Sequence, residues 1–156
     1  MQEFHILNSK EKKKFHELLQ NHFDCSYSFP GILFKTQKNK YFMLNETYSA
    51  ISDLHLNKKV LGLYVAETND FGEIRLSIEG SQLVGPHAKK HVLELQDSDA
   101  KEFMMGKDIK LTKELPPVYH IIYTINKITH EKDFIGCGKV KDTVLFNFIP
   151  KGRRIF

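Results

Sequence analysis

Along residues 8–23 the apolar positions Phe15, Leu18, Leu19 and Phe23 recur at helical spacing. Asn8 or Ser9 stands where a cap belongs, and Glu11 three residues after Asn8 completes a capping-box pattern, so a first helix is predicted here. Lys10 and Lys12 to Lys14 fall mostly off its apolar face and read as solvated surface. Pro30 and Gly31 end the region. Two short apolar runs, Ile32 to Phe34 and Tyr41 to Leu44, flank the polar stretch 35–40 and predict a hairpin. Residues 46–56 then read as a short helix, and 59–67 as a strand ending at the turn signal 68–72. In the stretch 73–80, Ile74, Leu76 and Ile78 alternate with Arg75 and Ser77, which predicts a strand with one buried face. Ser81 is the expected N-cap of a helical turn broken by Gly85 and Pro86.

The pattern changes from about residue 89. A strand at 91–96 is followed by a short helix capped by Asp97 or Ser98 and stopped by Gly106. An extended stretch, 108–115, runs toward Pro116 and Pro117. Three β-rich runs follow, at 118–126, 133–141 and 143–149, with hairpin turns at 127–132 and 141–143. The order predicts a small antiparallel, barrel-like sheet holding one or two short helices. The stretch near Gly85 to Lys90 is the expected boundary, giving two packed units at 1–88 and 89–156. It is too short to act as a free linker.

Length and composition agree with this α+β reading. The chain has 156 residues, 41% hydrophobic and 27% charged, with twelve Phe, six Tyr and no Trp, which suits a Phe- and aliphatic-based core rich in strands. No apolar run approaches the roughly 20 residues of a membrane helix, and the first residues lack the apolar stretch of a secretory signal. An intracellular protein without a membrane partner is expected: cytoplasmic in a prokaryote, nucleolar or nuclear in a eukaryote. Cys25 and Cys137 lack any CxxC spacing and read as reduced, structural thiols. The net charge is +4, and its distribution is uneven. Residues 1–88 carry ten Lys/Arg against ten Asp/Glu, and residues 89–156 thirteen against nine, so all the excess positive charge falls in the second half. A basic region of this kind suits a polyanion.

Catalytic motifs do not emerge. Gly136-Cys137-Gly138 lacks the third glycine and the following helix of a dinucleotide loop. His87, His91, His120 and His130 lack HExxH spacing, and no Ser or Cys sits in a GxSxG elbow. No cofactor, no metal and no enzymatic activity are expected. Gly136 and Gly138 read instead as points where a strand bulges or a phosphate reaches backbone amides. Phe146 and Phe148 share one face of a strand, which reads as core.

Residues 74–109 resemble the junction of the two domains in Nip-seven-type ribosome biogenesis factors. The matching positions are Ile74, Arg75 and Leu76, then Leu83, Pro86, Ala88, Lys89 and Val92, then Phe103, Met105 and Gly106. The tail from Asp133 to Ile155, with its Lys-Asp turn and Pro-Lys-x-x-Arg ending, is also similar to the PUA-type region of Sun-family RNA cytosine methyltransferases. The resemblance implies an α+β chain: an N-terminal pre-PUA-like domain packed on a C-terminal PUA-like β pseudo-barrel that binds RNA. It implies a non-catalytic accessory factor in ribosome biogenesis or rRNA processing, with an rRNA or tRNA precursor as partner. The alternatives are a module that brings RNA to a modifying enzyme, as in rRNA or tRNA methylation, and a protein-interaction adaptor acting through the N-terminal domain. The expected RNA-binding residues are Lys89, Lys139, Lys141, Lys151, Arg153 and Arg154, the last five on one basic face, with RNA backbone approaching Gly136 and Gly138. The structural alternative for the two arginines is pairing with Asp97 or Glu102 to tie down the C-terminus.

Overall fold

The computed structural model describes residues 4–44 and 62–156. The helix expected at 46–56 lies outside the described residues. The first sheet has five strands, β1 (Phe4–Ile6), β2 (Ile32–Thr36), β3 (Lys40–Leu44), β4 (Leu63–Thr68) and β5 (Ile74–Leu76), ordered β1-β2-β3-β4-β5 with every pair antiparallel. Strand β1 was not anticipated, because three residues are too few to show a period.

Helix α1 (Ser9–Phe23) begins as its sequence predicts. The Asn8 side chain accepts the Glu11 N–H at 2.9 Å, and the Glu11 carboxylate accepts the Asn8 N–H at 2.9 Å, so two donors at the helix start are satisfied reciprocally. Phe15, Leu19 and Phe23 form its buried stripe, and Phe15 stacks on Tyr41 of β3 with centroids 4.5 Å apart.

The strand expected over 73–80 is shorter than its alternation suggests. Strand β5 stops at Leu76, and Ser77 caps a helix, α2 (Ile78–Val84), by accepting the Gly80 N–H at 2.9 Å. Ser81 therefore lies inside the helix, its hydroxyl donating back to the Ser77 carbonyl at 2.7 Å. Gly80 is required by close packing, since a Cβ there would run into the carbonyl of Val65. A 3-10 turn, Gly85–His87, follows.

The second sheet contains β6 (Val92–Glu94), β7 (Ile109–Lys110), β8 (Tyr119–Ile125), β9 (Lys132–Lys141) and β10 (Val144–Asn147), ordered β6-β8-β9-β10-β7. It departs from the expected all-antiparallel arrangement at one pair: β6 runs parallel to β8, as the crossover between them allows. Helix α3 (Asp97–Met104) fills the inside of the curled sheet with Ala100 and Phe103, which pack with Leu95, Ile109, Ile122, Val140, Leu145 and Ile149. Gln96 occupies its N-cap position without a side-chain bond. A second core is shared along the chain: Phe15, Leu19, Phe23, Leu33, Val65, Ile74, Leu76 and Val84 pack with Ile121 of β8 and Cys137 of β9. The fold is α+β. No helix among the described residues is long and apolar enough to cross a membrane.

Candidate nucleic-acid interface

Strand β9 sends alternate residues to opposite sides of the second sheet, which places Lys139 and Lys141 together on its outer side. Lys141 is exposed at the strand end, before a turn closed by Asp142 at φ +56°. Lys139 is half-buried and engaged: its Nζ lies 3.1 Å from both Glu73 carboxylate oxygens and 5.2 Å from the Tyr119 ring centroid. The Asn69 amide and Lys139 together hold the Glu73 carboxyl below the usual carboxylate range.

The C-terminal cations are divided between different neighbours. Lys151 is exposed on a 3-10 turn, Lys151–Arg153. Arg153 ion-pairs with Glu79 of α2 at 2.6 Å. Arg154 is half-buried, donates from Nε to the Ile149 carbonyl at 3.2 Å and lies over Gly106, where any Cβ would collide with its guanidinium. Neither arginine takes Asp97 or Glu102. Asp97 pairs with Lys101 and Lys127, and Glu102 with Lys107. The expected single basic face of Lys139, Lys141, Lys151, Arg153 and Arg154 is therefore not what the structure brings together, because three of the five are held by Glu73, Glu79 and a backbone carbonyl. Lys89 is exposed, and its N–H and that of Lys90 both donate to the Phe23 carbonyl at the end of α1, at 2.9 and 3.0 Å. Lys89, Lys141 and Lys151 form no ion pair among the described residues.

Gly136 and Gly138 do not present open amides to a ligand. Both are buried in β9, paired with Ile122 and His120 of β8. Gly138 leaves no room for a Cβ, which would stand 2.7 Å from Leu145 and 2.8 Å from the Phe146 carbonyl. Gly136, at φ +151°, follows the register shift between Ile122 and Tyr123, so its glycine serves a bulge facing Phe103 and Ile149 inside the barrel.

The aromatic pair on β10 and just after it, Phe146 and Phe148, also differs from expectation. Leu145 is the residue that enters the core, while Phe146 and Phe148 are 39% and 37% exposed. Phe148 meets Tyr119 edge-on at 5.5 Å, and the Arg75 guanidinium lies 4.5 Å from its ring centroid. Arg75 also ion-pairs with Glu67, which accepts the Tyr64 hydroxyl at 2.8 Å. Burial pushes Glu67 up, but the Tyr64 hydroxyl and Arg75 together outweigh it and hold the carboxyl low. A cleft of about 210 Å³ at the join of the two sheets is lined by Tyr64, Glu67, Arg75, Phe148 and Arg153. Sequence reasoning did not reach Arg75 as a site residue. The signal was present only as an exposed-looking arginine in an alternating strand.

Three histidines meet where α1 approaches the barrel. His22 and His91 have ring centroids 4.7 Å apart, and His91 and His120 5.3 Å. Each donates to a backbone carbonyl, of Tyr119, His22 and Val118 respectively. Among the described residues no group of three or more His, Cys, Asp or Glu is placed to hold a metal ion. Burial pushes the Cys137 thiol up to about 12, so it is not a nucleophile near neutral pH.

Residues 90–155 match the family model for the methyltransferase RsmF PUA domain. The C-terminal part of the chain is a PUA-type domain. Among solved structures, a PUA domain from Aeropyrum pernix K1, crystallised as a tartrate complex, superposes with a TM-score of 0.51 at 12% identity, covering 97% of this chain and 88% of that one. No curated protein matches the chain. The two chains thus share an overall fold across nearly the full length of this one despite very different side chains.

Proposed function

We propose that this chain is a non-catalytic RNA-binding protein that acts inside the cell as an accessory factor in ribosome biogenesis or rRNA processing. The observation that carries the reading is the PUA-domain match over residues 90–155. The exposed cations Lys141 and Lys151 on that part of the chain, with Lys89 just before it, support it, since phosphate contacts supply most sequence-independent affinity. The resemblance of residues 74–109 to the Nip-seven-type junction supports the ribosomal role. Titration of fluorescently labelled rRNA and tRNA fragments with the full chain tests the reading. Binding is expected to weaken linearly in log affinity against log salt. A joint Lys89→Ala, Lys141→Ala and Lys151→Ala variant is expected to flatten that slope by about 0.7 for each lysine that contacts a single-stranded phosphate. Absence of salt-dependent RNA binding by the wild-type chain would refute the proposal.

A second reading has its own support. The matched model describes a PUA domain of a methyltransferase, which favours a module that delivers RNA to a modifying enzyme carried on another chain. Affinity purification separates the two: ribosomal precursors support the first reading, and a stoichiometric RNA-modifying enzyme supports the second.

A further inference from the structure

Residues opposite one another on neighbouring strands point to the same side of a sheet. Tyr119 of β8, Lys139 of β9 and Phe146 of β10 are opposite one another, and in the next row Lys141, Val144 and Lys110 of β7 are aligned. The residues between them, Val140, Leu145 and Ile109, are buried inside the barrel. These six side chains therefore occupy its outer side. The same side is covered further along, where Ile121 and Cys137 are buried in the core shared with α1, β5 and α2. One end of the outer face is closed by the first half of the chain and the other end is open.

Between the two ends Phe146 and Phe148 keep more than a third of their surface in solvent, Phe148 beside the join of the two sheets and Phe146 one row from the open end. Tyr119 meets Phe148 and lies under Lys139, and Arg75 lies over the Phe148 ring. Glu73 and Glu67 neutralise Lys139 and Arg75. Lys110 and Lys141, by contrast, are exposed and form no ion pair among the described residues, so the uncompensated charge lies beside Val144, next to the aromatic row. Phenyl rings bordered by free lysines suit unpaired bases and their phosphates, because each base offers a π-face and the strand carries a charge at every step. A duplex keeps its bases stacked inside and offers such a face only its backbone. A protein partner fits less well, since lysine is depleted at protein interfaces.

We propose that this outer face binds a single-stranded segment of RNA, with bases on Phe146 and Phe148 and phosphates toward Lys110 and Lys141. The proposal rests on the RNA-binding reading and names the surface and the strandedness for it. It is tested with the full chain, a labelled oligouridylate and an RNA duplex of equal length. The single strand is expected to bind more tightly than the duplex. Phe146→Ala is expected to weaken single-strand binding by roughly 5- to 150-fold, the worth of one stacked base, while Phe146→Trp preserves it. A Lys110→Gln and Lys141→Gln pair, both on exposed positions that leave the core intact, is expected to flatten the salt slope by about 1.4. RNA binding that is unchanged in both the Phe146→Ala and the lysine-pair variants removes this face while leaving the RNA-binding reading in place. Equal or better binding of the duplex also overturns it. A wild-type chain that binds neither probe defeats both the face and the reading beneath it.

Discussion

Whether a cation can meet a phosphate depends on what already holds it, and that information is largely absent from its local sequence. Lys139 is separated from Glu73 by 66 residues, and Arg153 finds Glu79 on a different element. Their identity as bases was legible, and their engagement was not, because ion pairs of this kind follow from strand order. The histidines show the same dependence. His16 donates from Nδ1 to the Lys12 carbonyl and accepts the Phe29 N–H at Nε2, at 2.9 and 3.0 Å, so the neutral ring is built into the fold. Burial holds His16, His22 and His120 below their usual 6.5. A histidine whose folded value is depressed takes up protons first in the unfolded chain, so its stabilising contribution is full above about 6.5 and is lost as pH falls below it. The carboxylates Glu67 and Glu73, also held low, act only further down, below about 4.5. Thermal melts from about pH 8 to about pH 5 are expected to show a midpoint that falls once the pH drops below about 6.5, with a shallower fall in His16→Gln. A midpoint flat across that range would contradict the neutral-ring assignment.

Elements long enough to display a period were legible. Helix α1 carries both an apolar stripe and a capping box, and it begins where those signals place it. Ile74, Leu76 and Ile78 misled because three alternating positions fit a strand as well as a strand that hands over to a helix after Leu76. The deciding group is the Ser77 hydroxyl, which caps α2 and also donates to the Tyr64 carbonyl at 2.6 Å. Ser77→Ala is expected to lower stability by about 1 kcal/mol, and more than Ser81→Ala, in denaturant titrations. Asn8→Ala is expected to cost a similar amount at the start of α1. Alternation along the sequence 144–148 puts Phe146 and Phe148 on one side but does not say which side is inside. The interior holds Leu145 against Val140 and Ile109, a choice made by neighbouring strands rather than by β10 itself. The parallel β6–β8 pair was hidden for the same reason, since strand direction depends on the path of the connection.

Across the whole molecule, Ile121 and Cys137 are buried in a core made mostly by residues 7–84, and Gly85 admits the Phe134 ring where a Cβ would collide with it. The two halves are thereby coupled through shared packing. Ile121→Ala is expected to lower stability by about 2–5 kcal/mol and to shift the unfolding of both halves together, followed by tyrosine fluorescence and by amide exchange on each sheet. Separate transitions for the two sheets would speak against that coupling. The charge asymmetry between the halves was legible in the sequence, and the shared core was not, because it joins positions more than 100 residues apart.

The strand orders carry one more consequence. The outermost strands among the described residues are β1, β5, β6 and β7, and none exceeds three residues. A strand so short exposes only one or two unpaired amides in a row, too few to template a neighbouring chain. The longest ladder, β9, is enclosed between β8 and β10. The molecule therefore keeps its adhesive backbone in the interior of its sheets, and intermolecular β-assembly should require prior unfolding of an inner strand.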